Sequence, residues 1–176
     1  ASCRACVDAC PRDAWVIDDE MLGIDETRCD GCDLCVSACP QLAISGRFSV
    51  AVRRTGLDTL AFAACEYAGA GDSRGGLMPC VHAVGLSGLL LSWRQGVTHL
   101  LATTGDCDAC PRGDRPRLGE RVREINLLLS SRDQRELMYR ELKPEQWLEA
   151  VRAATGQAAE RPLDRRSFFR SAIEVP

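Results

Sequence analysis

Hydrophobic positions change their spacing three times along this chain. Two short apolar runs, Ala14-Trp15-Val16-Ile17 and Leu42-Ala43-Ile44, each follow a Cys-Pro pair and suit small strands. Leu60-Ala61-Phe62-Ala63-Ala64 is continuously apolar, ends at Cys65, and reads as a buried strand. A Gly/Asp/Ser loop from Gly69 to Gly76 then leads to Cys80. Ala83 to Gln95 is apolar on most faces, as a mostly buried helix would be, and Gly96 is its natural stop. Thr98 to Thr103 predicts a second strand, and Gly105 opens the turn carrying Cys107 and Cys110. Farther on the spacing becomes helical. Leu118, Val122, Ile125 and Leu129 predict an amphipathic helix over Arg117 to Ser131. Lys143-Pro144-Glu145 opens a last helix whose buried face is Trp147, Leu148 and Val151. From Gly156 the chain is polar and expected to be loosely held.

Composition narrows the classes. The 176 residues leave room for one or two small domains, and 45% hydrophobic with 27% charged residues is a globular balance. A net charge of −3 gives no basis for non-specific nucleic-acid binding. The longest apolar stretch, Ala83 to Trp93, is too short and broken to span a bilayer, so no membrane insertion is expected. Eleven cysteines stand beside only two histidines, and an odd number fits a closed disulfide framework badly. Seven of them fall in residues 1–48, with nine acidic residues against four arginines, a formal charge of −5. The other four lie in residues 49–113, which balance to zero, and residues 114–176 carry +2 and no cysteine.

The cysteines of the first part form an internal repeat. Cys3-Arg4-Ala5-Cys6-Val7-Asp8-Ala9-Cys10-Pro11 recurs as Cys32-Asp33-Leu34-Cys35-Val36-Ser37-Ala38-Cys39-Pro40, and Cys29 precedes the second copy by three residues. The result is a complete C-x-x-C-x-x-C-x-x-x-C-P array. Three thiolates at every third position let a tight loop wrap one corner of an iron–sulfur cubane. The set-back fourth, followed by proline, serves the other cluster in two-cluster proteins. Structural zinc favours two separated C-x-x-C pairs and has no use for a third cysteine in step, so the pattern favours iron–sulfur over zinc.

Residues 1–48 thus resemble a bacterial-type two-[4Fe–4S] ferredoxin domain, which implies an α+β ferredoxin-like fold and ligands that cross between the halves. Carried onto this chain, the resemblance assigns one cluster to Cys10, Cys29, Cys32 and Cys35. The other falls to Cys3, Cys6 and Cys39, with one ligand missing. The repeat places that ligand one position before Ala1, and the expectation is that truncation removed a cysteine there. A three-iron cluster, or a carboxylate or water as the fourth ligand, are the alternatives.

Cys65, Cys80, Cys107 and Cys110 are a second set. Loops after consecutive parallel strands gather at one sheet edge, so these four are candidate ligands of a [2Fe–2S] cluster or a zinc ion. Buried inert thiols and a redox-active Cys107/Cys110 dithiol are the competing readings. The order strand–Cys65, Cys80–helix, strand–Gly105-Asp106-Cys107 resembles the iron–sulfur delta subunit of methyl-viologen-reducing hydrogenases over Leu57 to Gly113. That resemblance implies a [2Fe–2S] cluster and electron flow toward heterodisulfide-reductase-like partners. The chain departs from the pattern beside Cys65, where Glu66-Tyr67 stand, and in the C-x-x-C spacing of the last pair.

His82 is read as a solvated or capping histidine, with ligation or donation to a cluster sulfur as its alternatives. His99 is expected to be packed in a strand, and Asp106 and Asp108 to form the turn. Asp164-Arg165-Arg166-Ser167-Phe168-Phe169-Arg170 resembles a twin-arginine export motif, but no apolar region follows it in this sequence, so a partner-docking helix, the start of a further domain, or a solvated tail is expected instead.

The expected architecture is therefore a two-cluster domain over 1–48, a small α/β domain with a short parallel sheet and C-terminal helices over 49–158, and a basic tail over 159–176. The expected function is electron transfer, as a carrier or subunit of an oxidoreductase complex rather than an enzyme. No nucleotide-binding Gly-x-Gly-x-x-Gly, P-loop or nucleophilic triad is evident. Its partners would be dehydrogenase, hydrogenase or reductase subunits, in the cytoplasm or at the periphery of a membrane complex. An iron–sulfur assembly, sensing or accessory protein with structural clusters is the alternative, followed by a thiol–disulfide protein.

Overall fold

The computed structural model describes residues 3–17, 21–56, 58–70, 75–113 and 118–156. The twin-arginine-like motif, the tail from 159, and the expected first residue of the helix at 117 lie outside these.

Each copy of the cysteine repeat folds into a single helical turn carrying its middle cysteine. Helix α1 (Ala5–Asp8) is closed by Asp8 N–H on the Arg4 carbonyl at 2.9 Å. Helix α2 (Leu34–Ala38) is closed by Val36 N–H on the Asp33 carbonyl at 3.0 Å. Proline ends the second turn: Cys39, before Pro40, is driven into an extended conformation. Between the copies, β1 (Trp15–Ile17) and β2 (Leu22–Ile24) pair antiparallel, Trp15 opposite Ile24. The strand expected at Leu42-Ala43-Ile44 does not form. Leu42 is in the left-handed region at φ 55°, and Ala43 N–H turns onto Cys39 Sγ at 3.4 Å instead of a strand partner.

The remainder is built on a five-stranded sheet in the order β3-β4-β6-β7, with β5 also paired to β4. Strands β3 (Ala51–Thr55) and β4 (Asp58–Cys65) form an antiparallel hairpin, while β5 (Leu77–Met78), β6 (His99–Thr103) and β7 (Met138–Glu141) continue parallel from β4. The short parallel sheet expected from sequence is therefore a mixed one with an antiparallel edge. Ala61 to Cys65 and Leu100 to Thr103 are buried without a break, because both faces of the central strands are covered.

Register shows what covers them. Ala61, Leu100 and Tyr139 lie opposite one another and share a face, and the Tyr139 ring lies against Gly119 of α4 (Leu118–Ser130). Phe62 is on the other face and meets Trp147 of α5 (Pro144–Ala154) edge-on, with ring centroids 6.1 Å apart. Helix α3 (Leu86–Arg94) packs on α4. It buries one stripe through Leu89 and Ser92 and leaves Leu86, Leu90 and Leu91 exposed, so it is less buried than its apolar sequence suggests. Leu118, Val122, Ile125 and Leu129 are the buried stripe of α4, as their spacing predicts.

Trp147 is fully buried and also donates its indole N–H to the Leu101 carbonyl at 3.2 Å. Trp147→Ala should cost about 3–5 kcal/mol of stability. Leu127→Ala, on the outer side of α4 at 73% exposure, should cost less than about 0.5 kcal/mol. Denaturant unfolding of the two variants in parallel measures both.

Candidate metal centres

Three parallel strands bring the second cysteine set together. Strands β4, β5 and β6 point the same way, so their carboxyl ends share one sheet edge. Cys65 is the last residue of β4, Cys80 follows β5 by two residues, and Cys107 and Cys110 occupy the turn after β6. All four line one hollow of about 20 Å³, room for roughly one water molecule. Gly105 makes this convergence possible. A Cβ there would sit 2.5 Å from the Tyr67 carbonyl oxygen, so only glycine lets the Cys107 turn close on the segment after Cys65. The Asp106 carboxylate accepts the N–H groups of Asp108 and Ala109, which makes it a turn former as expected.

Of the two states expected for His82, solvated or capping, the structure shows the capping one. It is 9% exposed, and its Nδ1 accepts the Leu118 N–H at 3.0 Å, capping the start of α4. That bond leaves the ring proton on Nε2, which lies 3.4 Å from Cys107 Sγ and so donates to it. Arg121, one turn into α4, bonds the His82 and Val84 carbonyls and holds the same segment from the other end. His99 sits at the opposite end of β6, with Nδ1 2.8 Å from Thr98 Oγ1.

In the N-terminal segment, Cys10, Cys29, Cys32 and Cys35 line a single cavity of about 630 Å³. One cysteine of the first repeat thus meets three of the second. Gly31, at φ 65°, turns the backbone between Cys29 and Cys32. Asp25 holds the approach to Cys29: its carboxylate accepts from Thr27 Oγ1 at 2.6 Å, Thr27 N–H at 2.9 Å and Arg28 Nε at 2.7 Å. The Thr27 hydroxyl foremost, then Arg28, hold its carboxyl down to about 2.

Cys10 Sγ accepts the Ala14 N–H at 3.4 Å, matching the Cys39–Ala43 bond four residues along in the other copy. Cys39 lines a separate cavity of about 650 Å³ between α1, α2 and α4. Cys3 is exposed and Cys6 buried, and neither lines any of these three cavities.

None of the eleven cysteines, all of them among the described residues, is in a disulfide. Burial pushes the Cys32 thiol up to about 12 and the Cys80 thiol up to about 11, so neither is a thiolate at neutral pH without a cation to hold it. The Ala43 N–H and its neighbours draw Cys39 the other way, below the usual thiol value. Among the described residues, no three His, Cys, Asp or Glu side chains stand close enough to hold one metal ion. Four thiols around the larger cavity suit a group several atoms across, and the donor set fits a [4Fe–4S] cluster. At the sheet edge the all-thiol donor set fits iron–sulfur or zinc, and the thiols must swing outward to admit a two-iron group.

Arg112 was not singled out by sequence, yet it lines the sheet-edge hollow and pairs with Asp30 at 2.9 Å and Glu66 at 2.6 Å. A signal existed. Cys10-Pro11-Arg12 and Cys110-Pro111-Arg112 are the same tripeptide, and both arginines reach Asp30, Arg12 at 3.6 Å.

A 4Fe-4S binding domain family matches residues 22–45, which span β2, α2 and the Cys29–Cys39 array. The match implies a [4Fe–4S] cluster and suggests an iron–sulfur electron-transfer role, and such domains are typical of electron carriers and subunits. Neither a curated protein nor a solved structure matches the chain, and no comparison supports the resemblance of Leu57–Gly113 to a hydrogenase delta subunit. No helix among the described residues is long and apolar enough to cross a membrane.

His82→Ala would leave the buried Leu118 N–H without its acceptor. A loss of about 1–3 kcal/mol in unfolding free energy is expected from metal-free protein, measured by denaturant titration.

Proposed function

We propose that this chain is an iron–sulfur electron-transfer subunit serving a larger oxidoreductase. The observation that carries the reading is the gathering of Cys10, Cys29, Cys32 and Cys35 around one cavity, inside and just beside the segment matched by the 4Fe-4S binding domain. These four are the ligands of a [4Fe–4S] cluster in this reading. In the same reading Cys3, Cys6 and Cys39 hold a second, in a two-cluster ferredoxin-like fold. Cys65, Cys80, Cys107 and Cys110 hold a third group, a [2Fe–2S] cluster or zinc.

Bound iron–sulfur clusters supply reversible one-electron storage. The chain's own residues set where and how easily that happens. Backbone N–H donation to Cys10 and Cys39 and the His82 Nε2–H on Cys107 withdraw charge from sulfur, which favours the reduced state. Burial of Cys32 and Cys80 keeps water from those sulfurs. The formal charge of −5 on residues 1–48 suits docking to a basic patch on a donor or acceptor, with an association rate that falls as salt rises.

Anaerobic reconstitution with iron and sulfide tests the reading. Roughly eight irons per chain are expected for two cubanes, ten with an added [2Fe–2S] cluster, and four for one cubane. Cys29→Ser and Cys35→Ser should abolish the [4Fe–4S] signal of the first site in electron paramagnetic resonance, while in Cys107→Ser that cluster still assembles when iron and sulfide are in excess. His82→Ala should lower the potential of an iron–sulfur group at the sheet edge. Clusters that form but resist reduction by small donors would point to a structural role, and protein that takes up no iron would end the proposal.

A further inference from the structure

The two well-gathered cysteine sets meet at one guanidinium. The side chain of Arg112 is 5% exposed and contacts a residue adjoining a cysteine on each side. Nε donates to Asp30 Oδ2 at 2.9 Å, and Asp30 stands between Cys29 and Cys32. The terminal NH1 reaches Glu66 Oε1 at 2.6 Å, beside Cys65, and the Pro79 carbonyl at 2.6 Å, beside Cys80. Arg112 itself follows Cys110 by two residues, and its guanidinium lies 5.2 Å over the Tyr67 ring. Next to it, Cys32, Leu34 and Cys80 form a buried apolar cluster of their own, so a wall of one site is packed on a wall of the other. Ser37 of α2 completes the contact by bonding the His82 carbonyl at 3.4 Å, in space that Gly85 leaves open.

From this arrangement we infer that Arg112 is a positioning residue that couples the two sites, so that loading either with its iron–sulfur group strengthens the other's hold on its own. The inference rests on reading both sets as iron–sulfur sites. One rigid fork satisfies Asp30, Glu66 and the Pro79 carbonyl together only when the Cys29–Cys32 loop and the Cys65 and Cys80 segments are all in place. Ligation at one site fixes the partners on its side and so lowers the ordering cost on the other side. A buried guanidinium resists losing one arm, because the charge is then left under-compensated. Linkage makes the effect reciprocal: the factor by which the first site strengthens the second equals that by which the second strengthens the first.

The test uses the full chain, reconstituted anaerobically with ferrous iron and sulfide and equilibrated against an iron chelator. Mössbauer and electron paramagnetic resonance spectra distinguish the two sites. Cys29→Ser should weaken iron retention at the sheet-edge site, and Cys107→Ser retention at the first site, each by the same factor of about 5 to 150. In Arg112→Met that factor should fall to one while both sites still take up iron. Asp30→Asn, which cuts only the arm to the first site, should lower it too and carries the test if Arg112→Met fails to fold. Independent loading in the wild-type background would overturn the coupling and leave both site readings intact. Coupling that survives both Arg112→Met and Asp30→Asn would overturn the role of Arg112. A sheet-edge set that takes up no iron would overturn the coupling and the reading of that site together.

Discussion

Thiols from segments forty-odd residues apart can meet only if the elements carrying them end at the same place, and the parallel pairing of β4, β5 and β6 imposes that meeting. Between Cys65 and Cys110 lie two strands, β5 and β6, and the helix α3, yet both cysteines sit at the carboxyl edge of the sheet. The rest of the α/β portion serves that pairing. Parallel strands must be covered on both faces, and α4 on one side and α5 on the other do so, with Trp147 and the Leu118–Leu129 stripe as the largest buried contributions. The first turn of α4 then reaches back to the edge it supports, capping on His82 and so orienting the ring toward Cys107.

The N-terminal segment obeys a different rule. Val16, Ile17, Leu22 and Ile24 of its hairpin are all exposed, and its buried apolar residues are few: Cys6, Ala14, Cys32 and Leu34. A segment this poor in core needs another source of order. Two are visible. Backbone N–H groups that would otherwise build a ladder are turned onto Cys10 and Cys39, and α2 packs through Leu34 and Ser37 against the segment around Cys80 and His82. Metal ligation belongs to the same logic, since binding free energy in small metal sites is folding free energy.

The central strands and the outer helices were legible because their signals are local. Leu60–Ala64 and Thr98–Thr103 are apolar throughout, and the α4 stripe repeats at 3.6 residues. The edge strands were not. β3 carries Arg53 and Arg54, β7 reads Met-Tyr-Arg-Glu, and β5 is two residues long, so each is a strand only through its neighbour. The false strand at Leu42–Ile44 has the converse cause, an apolar run whose N–H groups face a sulfur. At the sites, the resemblance to a two-cluster ferredoxin implied the grouping of Cys10 with Cys29, Cys32 and Cys35, and strand order carried the second set. Capping and donation to sulfur were among the readings open for His82, but its partners Leu118 and Cys107 were not legible, and the role of Arg112 stayed hidden, because a lone arginine advertises nothing until distant residues such as Asp30 are brought beside it.

The shared carboxylate of Asp30 gives the junction two kinds of ionic strength behaviour. Its partner Arg12 is nearly half exposed at 3.6 Å, within reach of mobile counterions, whereas Arg112 is buried at 2.9 Å and largely shielded from them. Raising salt loosens the outer arm first and leaves the inner one standing. Electrolyte can thus screen the charge of the acidic N-terminal segment without loosening the internal seam between the two cysteine sites.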